Sequence, residues 1–471
     1  MRRILVAALV CVGCNSAPNE TPDLGLMLDP SGVVIPATDQ RPGDATRGYD
    51  ALVNRGAVRC GVPYNVFTKV MQPATPDLRL PGRTGHNADL AYNETASIAA
   101  SGVEVVSPNC LTCHAGKING TLVIGLGNTE QDYTTDQSDQ LALAKQLGPM
   151  LTSDPLELAE LNKFADRFIA IGPYTVLTTL GVNPGDNFAA VLLAHRDPVT
   201  LAWSDTPLLD LPPTIGVPLD VPPWWRMKKK HSMFYVDAAH GDLARVEMAA
   251  ANLCTDTVAE AADIDSYFPD VRAYLESLVP PVWPFPVDAT LAAKGKPVFD
   301  GTCARCHGTY GDAGVYPNLF IPLDVIGSDP VLAVGSSQFA DRFLDWWAKS
   351  FYGMTTTLAP KKGYVAPPLD GIWATAPYLH NGSVPTLAAL LDSKTRPKYW
   401  GRTFDSTDYD LAGIGWNVTV YDHGKAAEPD PTTQKKIYDT DTFGYTNTGH
   451  TFGDLLSDGD RGALLEYLKT L

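Results

Sequence analysis

Hydrophobic positions along the 471-residue chain repeat mainly with the period of an α-helix. The clearest case is 155–171, where apolar side chains recur at near-helical spacing: Leu156, Leu158, Leu161, Phe164 and Phe168. The same kind of pattern predicts further helices at 241–253, 288–299, 339–351 and 458–471. Alternation of apolar and polar residues, which favours a strand, is best developed at 121–126. We therefore expect a mostly α fold with few strands.

A proline-rich break separates these patterns into two groups. Residues 279–286 read Val-Pro-Pro-Val-Trp-Pro-Phe-Pro, and such closely spaced prolines cannot continue a helix because they lack the backbone N–H. The break predicts a linker at 280–287 between a first domain, 48–279, and a second domain, 288–471. A hydrophobic fraction of 45% is enough for a sizeable core in each domain.

The first residues have the composition of an export signal. Two arginines near the start precede an apolar run at 4–12, which is too short to span a bilayer as a mature helix. The run leads to Cys14 in a pattern that resembles a bacterial lipoprotein cleavage site. Cys11 stands where that pattern usually has leucine, so ordinary cleavage without a lipid stays open. We predict a signal or lipoprotein segment at 1–14, followed by a flexible spacer at 15–47.

The mature protein is therefore expected outside the cytoplasm, either in the periplasm or held to a membrane by a lipid on Cys14. The net charge of the full chain, −17 at pH 7, argues against nucleic acid as a partner, since both surfaces would be negative. The acidity would suit a basic redox protein as partner, and it fits simple solubility equally well.

The pentapeptide Cys-x-x-Cys-His occurs twice, at 110–114 and 303–307. Two thiols at this spacing can both add to the vinyl groups of a porphyrin, while the histidine that follows reaches the iron as its proximal ligand. The residues concerned are Cys110, Cys113, His114, Cys303, Cys306 and His307. We therefore predict two covalently bound haem c groups, one in each domain. Zinc ligation or a thioredoxin-like redox pair is the alternative, but neither needs a histidine directly after both cysteine pairs.

Two cysteines remain outside the signal and the motifs. Cys60 and Cys254 are a natural disulfide pair if the protein lies in an oxidising compartment. The alternative is two buried free thiols, which behave as small apolar side chains.

The sequence around the second motif is similar to an ordinary cytochrome c. Residues 292–308 match the N-terminal helix and haem turn of that family, and 464–468 match the C-terminal helix that packs across it. No such helix precedes the first motif, and a long stretch separates His114 from the linker. We expect two cytochrome c-like domains, each around one covalent haem, with long loops and insertions in the first, where a substrate site could form.

A wider resemblance rests on three segments. Residues 371–387, which include Trp373-Ala374-Thr375-Ala376-Pro377-Tyr378-Leu379-His380-Asn381-Gly382, resemble the C-terminal signature of the bacterial di-haem cytochrome c peroxidase superfamily. Its members include peroxidases, a tryptophylquinone-maturing enzyme and the rubber oxygenases. The segment 222–230, Pro-Pro-Trp-Trp-Arg-Met-Lys-Lys-Lys, and the ending from 447 are most similar to the rubber-oxygenase branch. The resemblance covers most of 100–471 and implies a haem oxidoreductase. Calcium is considered as a further cofactor.

Whether a second protein ligand holds the iron decides whether a haem carries electrons or binds a small molecule. For the second haem the candidates are Met354, His380, His423 and His450. Resemblance to the rubber-oxygenase ending implies His450. Met354 is the alternative, because methionine is a usual ligand in electron-carrying cytochromes. We expect His380 to make a structural hydrogen bond within its signature loop.

The first haem has no recognisable second ligand. His195, His231 and His240 are available, but none lies in a ligand motif, and the resemblance implies an open iron that peroxide or dioxygen can reach. The expected function is an extracytoplasmic di-haem c oxidoreductase, peroxidase-like or rubber-oxygenase-like, whose second haem transfers electrons or tunes the potential. The alternative is a non-catalytic di-haem electron-transfer cytochrome.

Trp224 and Trp225 lie between the two haem segments in the sequence, where an aromatic pair could conduct electrons or line the pocket of the reactive haem. Ordinary core packing of two large rings is the alternative. Lys228, Lys229 and Lys230 are expected to form a solvated face, or more weakly a docking patch for an acidic partner.

Overall fold

The structure of the protein is a computed structural model that describes residues 28–338 and 340–471. The predicted signal or lipoprotein segment at 1–14, with Cys14, and the first part of the predicted spacer lie outside the described residues.

Helices provide most of the regular structure before and after the proline-rich break. Before the break they are α1 (Ala45–Asp50), α2 (Tyr64–Val70), α3 (Leu111–His114), α4 (Ser138–Leu151), α5 (Pro155–Ile171), α6 (Gly185–Ala194), α7 (Leu243–Glu247), α8 (Val258–Asp265) and α9 (Phe268–Ser277). After the break they are α10 (Ala289–Thr302), α11 (Ala304–His307), α12 (Leu323–Ile326), α13 (Val331–Gln338), α14 (Ala340–Lys349), α15 (Leu387–Leu391), α16 (Pro431–Lys436) and α17 (Asp458–Leu468). The break itself contains no helix or strand.

The strands are short and, in the described residues, form sheets of two or three strands. They are β1 (Val33–Val34), β2 (Val62–Pro63), β3 (Glu94–Ile98), β4 (Glu104–Pro108), β5 (Ala115–Ile118), β6 (Thr121–Ile124), β7 (Ala239–Gly241), β8 (Leu319–Pro322), β9 (Thr356–Leu358), β10 (Gly363–Val365), β11 (Tyr399–Gly401), β12 (Tyr409–Asp410), β13 (Gly415–Trp416), β14 (Thr419–Val420) and β15 (Tyr438–Asp439). The three-stranded sheets have the orders β1-β8-β10, β2-β4-β3 and β14-β11-β15, and the pairs are β5-β6, β7-β9 and β12-β13.

The helices predicted from hydrophobic spacing are present. The pattern at 155–171 coincides with α5, which begins after Asp154, whose carboxylate accepts a hydrogen bond from the backbone N–H of Leu156. The pattern at 288–299 corresponds to α10, with Asp288 as its N-cap. The pattern at 241–253 is split into α7 and a 3₁₀ turn at Met248–Leu253. The strand predicted at 121–126 is β6.

Each half is closed by a pair of crossing helices that meet at a glycine. In the second half α10 crosses α17, and a Cβ atom on Gly295 would lie 1.9 Å from the carbonyl oxygen of Ala463. In the first half α1 crosses α9, and a Cβ on Gly48 would lie 1.9 Å from the carbonyl oxygen of Asp270. Only glycine permits backbones to approach this closely.

The helix α1 differs from the expectation that no helix precedes the first motif. A π-helical turn at Ala51–Arg55 extends α1, but β2, α2, β3 and β4 are inserted between this helix and Cys110. The insertion is the reason why the sequence next to the first motif does not look like that of a cytochrome c.

The described end of the predicted spacer packs against both halves. Val33 and Val34 pair with β8, and Ile35 is buried. The Arg41 side chain forms ion pairs with Asp242 and Asp265, each at 2.6 Å. From residue 28 onward this segment therefore differs from the flexible spacer that its composition predicted.

The two main hydrophobic cores exchange segments between the halves. The first core, which packs around Cys110 and Trp224, also contains Trp346 and Trp347 of α14. The second core, which packs around Cys303, also contains Ile118 of β5 from the first half. The predicted linker at 280–287 thus divides the sequence into two halves, but each hydrophobic core contains residues from both halves.

A disulfide joins Cys60 to Cys254, with a Cα–Cα distance of 5.3 Å, and confirms the pairing predicted for these residues. It ties the turn Met248–Leu253 to the segment that precedes β2. Among the described helices none is long and apolar enough to cross a membrane.

Candidate functional site

The first motif forms the single helical turn α3 between β4 and β5. The turn is closed by a hydrogen bond of 3.1 Å from the His114 backbone N–H to the Cys110 carbonyl. The thiols of Cys110 and Cys113 are not joined in a disulfide, and both line a large cavity together with His114. The Asn183 side-chain amide donates to Cys113 Sγ at 3.1 Å.

The second motif lies where α10 passes into α11. Cys303 is the C-cap of α10, and Cys306 and His307 belong to the following turn. The His307 Nδ1 atom is 2.8 Å from the carbonyl oxygen of Pro367. Since a carbonyl can only accept, Nδ1 carries the hydrogen, and Nε2 keeps its lone pair for a metal.

His450 faces His307 across the cavity. The centroids of the two imidazole rings are 6.1 Å apart. An iron held by one imidazole on each side would separate the centroids by about 6 Å, since each metal–nitrogen bond is about 2 Å. The spacing therefore leaves room for a haem iron that both histidines would hold. Burial lowers the pKa of His450 to about 3, which keeps its imidazole neutral and able to ligate.

The loop that carries His450 is held in a strained conformation. The φ angles of Gly449 and His450 are 75° and 47°, and a Cβ on Gly449 would lie 2.2 Å from the backbone of Gly327. The Arg396 guanidinium donates to the carbonyl oxygens of Asn447, Gly449 and His450 at 2.6, 2.7 and 3.1 Å. Arg396 thus fixes the backbone from which the His450 ring points towards His307.

The cavity between the motifs has a volume of about 1410 Å³. A site for one small ligand has roughly 300–1,000 Å³, so the volume exceeds that of a single site. The cavity is lined by all six motif residues and by His450. Two pairs of free thiols, an imidazole beside each pair and a mostly apolar wall fit two covalently bound haem groups.

The other candidates for the second haem are placed differently. Met354 is 73% exposed and does not line the cavity. The ring of His423 lies between the carboxylates of Asp422 and Glu428, at 2.7 and 3.4 Å. His380 is buried against the cavity, with its ring stacked on Tyr364 at 4.1 Å.

In the described part of the chain no second histidine faces His114. His195 stacks on Trp203, and its Nδ1 is 2.8 Å from the Ser204 carbonyl oxygen. His231 Nδ1 is 2.8 Å from the Ile35 carbonyl oxygen. His240 lies 3.2 Å from a carboxylate oxygen of Asp237. None of these three histidines lines the cavity.

Trp224 and Trp225 have different surroundings. The Trp224 ring stacks on the His114 ring, with centroids 4.6 Å apart and planes inclined by 19°, and it lines the cavity. The Trp225 ring is buried in the second core, and its Nε1 donates to the Asp370 carbonyl at 2.8 Å. Trp224 is thus in contact with the predicted proximal ligand, whereas Trp225 does not line the cavity.

The three lysines after the tryptophan pair do not share one solvated face. Lys228 is exposed, whereas Lys229 forms an ion pair of 2.7 Å with Asp370. Lys230 lines the cavity, and burial lowers the pKa of its ammonium to about 8. The expected solvated face is therefore wrong for Lys229 and Lys230, because the 3₁₀ turn Trp224–Lys229 directs successive side chains to different sides.

The cavity contains a buried carboxylate, that of Glu247, which was not predicted from the sequence. The side chain of Glu247, at the end of α7, is 8% exposed, and neither of its oxygens accepts a hydrogen bond. Its closest cation is Arg272, with 3.9 Å between Nε and Oε1. Burial raises the pKa of Glu247 to about 8. In the sequence Glu247 is one of three charged residues in the pattern at 241–253, with Asp242 and Arg245, so nothing distinguished it.

Among the described residues, no group of three or more His, Cys, Asp or Glu side chains is arranged to hold a metal ion. Calcium therefore stays a prediction from resemblance, without a protein-built site in the part that the structure describes.

Comparison with known proteins matches part of the chain to a cytochrome c-like family. Residues 363–401 match the family described as RoxA-like, cytochrome c-like. This segment contains Pro367, which holds the His307 ring, and Arg396, which holds the His450 loop. The match supports the expected relationship to rubber oxygenases and di-haem cytochromes at the level of a cytochrome c-like domain, and it indicates haem c and a haem-based oxidoreductase.

Two relatives occur in Sinorhizobium fredii (strain NBRC 101917 / NGR234). The uncharacterized protein y4iM is 30% identical over 344 residues, which cover 63% of this chain and 74% of y4iM. The uncharacterized protein y4iJ is 28% identical over 261 residues, which cover 41% of each chain. This chain belongs to the same family as the uncharacterized protein y4iM, and it contains a RoxA-like, cytochrome c-like segment.

Proposed function

We propose that the chain is an extracytoplasmic di-haem c oxidoreductase. The haem on the first motif is the centre that reacts with peroxide or dioxygen, and the haem on the second motif transfers electrons or tunes the potential of the first. The two haems lie in two cytochrome c-like domains, each closed by helices that cross at Gly48 or Gly295.

The observation that carries this proposal is the asymmetry between His114 and His307. His307 has a second imidazole, that of His450, at a spacing that fits an iron between them. His114 has no such partner among the described residues, and its ring instead contacts Trp224. An iron with one strong protein ligand leaves a coordination position for a small molecule, whereas an iron with two serves electron transfer.

The residues of the first site have distinct roles in the proposed reaction. Cys110 and Cys113 hold the haem covalently, and His114 supplies the proximal imidazole. Burial lowers the pKa of His114 to about 4, so this imidazole stays neutral over the physiological range. When bound, the haem supplies the iron that exchanges electrons with peroxide or dioxygen.

Glu247 is suited to move a proton at this site. Its carboxyl lines the same cavity, both of its oxygens are free of hydrogen bonds, and its pKa of about 8 lies near the pH at which such an enzyme works. With hydrogen peroxide as oxidant, Oε1 or Oε2 of the ionised carboxylate would accept a proton from one peroxide oxygen and return it to the other, which leaves as water. With dioxygen, which carries no proton, the protonated carboxyl group would act only as a donor. The nearest cation to Glu247, Arg272, is 3.9 Å away and forms a shorter ion pair with Glu276, at 2.5 Å.

The second site supports rapid electron exchange. The His307 ring donates to the Pro367 carbonyl oxygen, and Arg396 donates to the backbone carbonyl oxygen of His450. A rigid pair of ligands reduces the rearrangement that accompanies a change of redox state. Trp224 contacts His114, and the adjacent Trp225 lies in the core of the second motif. The pair is our proposed connection between the two centres.

The location and partners remain proposals from the sequence. An N-terminal export signal, with or without a lipid on Cys14, would place the protein outside the cytoplasm, where the Cys60–Cys254 disulfide is stable. A redox protein with a basic docking surface would suit the acidic chain.

Carbon monoxide titration of the reduced, purified protein tests the proposal. We expect one of two haems to bind carbon monoxide in the wild type. The double variant Cys110→Ala with Cys113→Ala should lose this band, and the matched variant Cys303→Ala with Cys306→Ala should keep it. Two low-spin haems that do not bind carbon monoxide would instead support an electron-transfer cytochrome. Binding at the second haem alone would overturn the assignment of the two centres.

The oxidant is then identified by turnover. The protein is assayed with peroxide and a reduced electron donor, and separately with dioxygen and an unsaturated hydrocarbon polymer, against free haem as reference. Activity in the first assay alone indicates a peroxidase, and activity in the second alone indicates an oxygenase. Failure of both assays under oxidised and reduced conditions would exclude a catalytic role of this kind.

A further inference from the structure

Two cationic side chains face the cavity without an anionic partner. The Arg226 guanidinium is 5% exposed and donates from Nε to the Asp370 carbonyl at 3.0 Å. The Lys230 side chain lines the same cavity. Among the described residues, neither Arg226 nor Lys230 forms an ion pair, although both lie at the cavity wall.

In the part of the chain that the structure describes, the carboxylates near these two cations do not form ion pairs with them. Asp370 is paired through both oxygens with Lys229 at 2.7 Å. Asp237 is bound by Lys361 and lies 3.2 Å from His240. Asp220 lines the cavity but forms no ion pair with either cation among the described residues, and burial, which raises its pKa well above the ordinary value, disfavours its charged form. The positive charge on the wall is therefore left for a ligand.

We infer that Arg226 and Lys230 form a carboxylate-binding site in the cavity wall beside the second motif. A guanidinium and an ammonium that converge on one cavity are the groups that bind carboxylates most strongly in proteins. Burial of the Arg226 charge without an anion is costly, and a carboxylate bound between Arg226 and the half-buried Lys230 would remove that cost.

The position of the site points to the carboxylates of a haem. Arg226 is bound to the carbonyl of Asp370, shortly after Pro367, the residue that holds the His307 ring. Attachment through two thiols uses the vinyl groups of the porphyrin and leaves its two propionates free. The identification of the bound group as a propionate rests on the proposed haem at the second motif. A free carboxylic acid that enters the cavity would have the same chemistry.

The test compares Lys230→Met and Arg226→Gln with the control Lys228→Met, which removes an exposed lysine from the same turn. Haem staining first establishes that each variant carries two haems. Resonance Raman spectra then report the propionate bending bands, and spectroelectrochemistry reports the midpoint potential of the second haem. In parallel, hexanoate is titrated into each protein and binding is followed by absorbance.

If the carboxylate is a propionate, the Raman bands shift in Lys230→Met and Arg226→Gln, and the midpoint potential falls because a negative charge loses its partner. Lys228→Met should match the wild type, and hexanoate should give no saturable change. If the carboxylate is a free acid, the Raman bands stay unchanged, and hexanoate binding weakens at least about tenfold in Lys230→Met.

The inference is overturned if both variants keep the wild-type Raman bands and hexanoate binding. That result leaves the proposed function standing, because carbon monoxide binding at the first haem does not depend on Arg226 or Lys230. The absence of a haem from the second motif in the wild type would overturn the proposed function and, with it, the propionate as the bound group.

Discussion

Trp224 and Trp225 are adjacent in the chain, but their rings pack into different hydrophobic cores. Trp224 belongs to the first core, where it stacks on His114 at 4.6 Å. Trp225 belongs to the second core and donates to the Asp370 carbonyl. A single peptide bond therefore links the surroundings of the two haem motifs.

Trp224→Ala should lower turnover by roughly tenfold, a change of about 1.4 kcal/mol in activation free energy, without loss of haem. The reason is that His114 loses the ring that holds its orientation. Trp225→Ala should also lower turnover, and it should destabilise the fold by roughly 3–5 kcal/mol through the cavity it leaves. Turnover with peroxide, haem staining and Tm are the measurements. Trp203→Phe, at a ring that does not line the cavity, is the control.

The mature protein should carry two covalent haems. Each motif contains both thiols and a histidine, so the intact mass should exceed that of the polypeptide by two haem groups. Removal of the cysteines from one motif should halve the haem stain, and removal from both should abolish it. A mass increase of one haem in the wild type would contradict the prediction.

His450→Ala should convert the second haem from a low-spin centre to one that is five-coordinate or binds water. The ring of His450 is the one that faces His307, and covalent attachment depends on Cys303 and Cys306 instead. The variant should therefore keep both haems and bind carbon monoxide at both. Absorbance and electron paramagnetic resonance spectra measure this. His423→Ala, at a histidine paired with Asp422, should leave the spectra unchanged.

Glu247→Gln should alter the pH dependence of stability. Burial raises the Glu247 pKa from 4.5 to about 8, so between these pH values the folded protein keeps a proton that the unfolded chain releases. The free energy of unfolding should therefore fall as pH rises from about 4.5 to about 8 and level off above that.

Glutamine has no such proton, so the variant should gain stability over the wild type between pH 5 and pH 8, by roughly 4 kcal/mol at most. Tm measured across this range tests the prediction. Glu466→Gln, at a carboxylate that is paired with Lys469 and does not line the cavity, is the control. Parallel Tm curves for wild type and Glu247→Gln would contradict the assigned shift.

Much of the local structure could be predicted from the sequence because it depends on neighbours in the chain. The helix at 155–171 has both its apolar face and its Asp154 cap within one segment. The haem motifs are equally local, since five consecutive residues contain all the attachment chemistry. The Cys60–Cys254 bond followed from the small number of cysteines left over.

What could not be predicted depends on contacts between distant residues. The position of His450 requires Arg396, more than fifty residues earlier, and the close approach of Gly449 to Gly327. Nothing next to Glu247 in the sequence indicates that its side chain is buried, with Arg272 of α9 as its nearest cation. Lys230 was expected in solvent, because a run of three lysines gives no sign that a 3₁₀ turn directs one of them inward.

Because the two cores share segments, the two halves of the molecule should unfold together. Trp346 and Trp347 complete the core around the first motif, and the hairpin that contains Ile118 contributes to the core around the second. Neither half can close without a piece of the other. Heat or denaturant should therefore unfold the surroundings of both motifs in one cooperative transition. A chain that is cut at the linker should yield two fragments that stay unfolded until they are mixed.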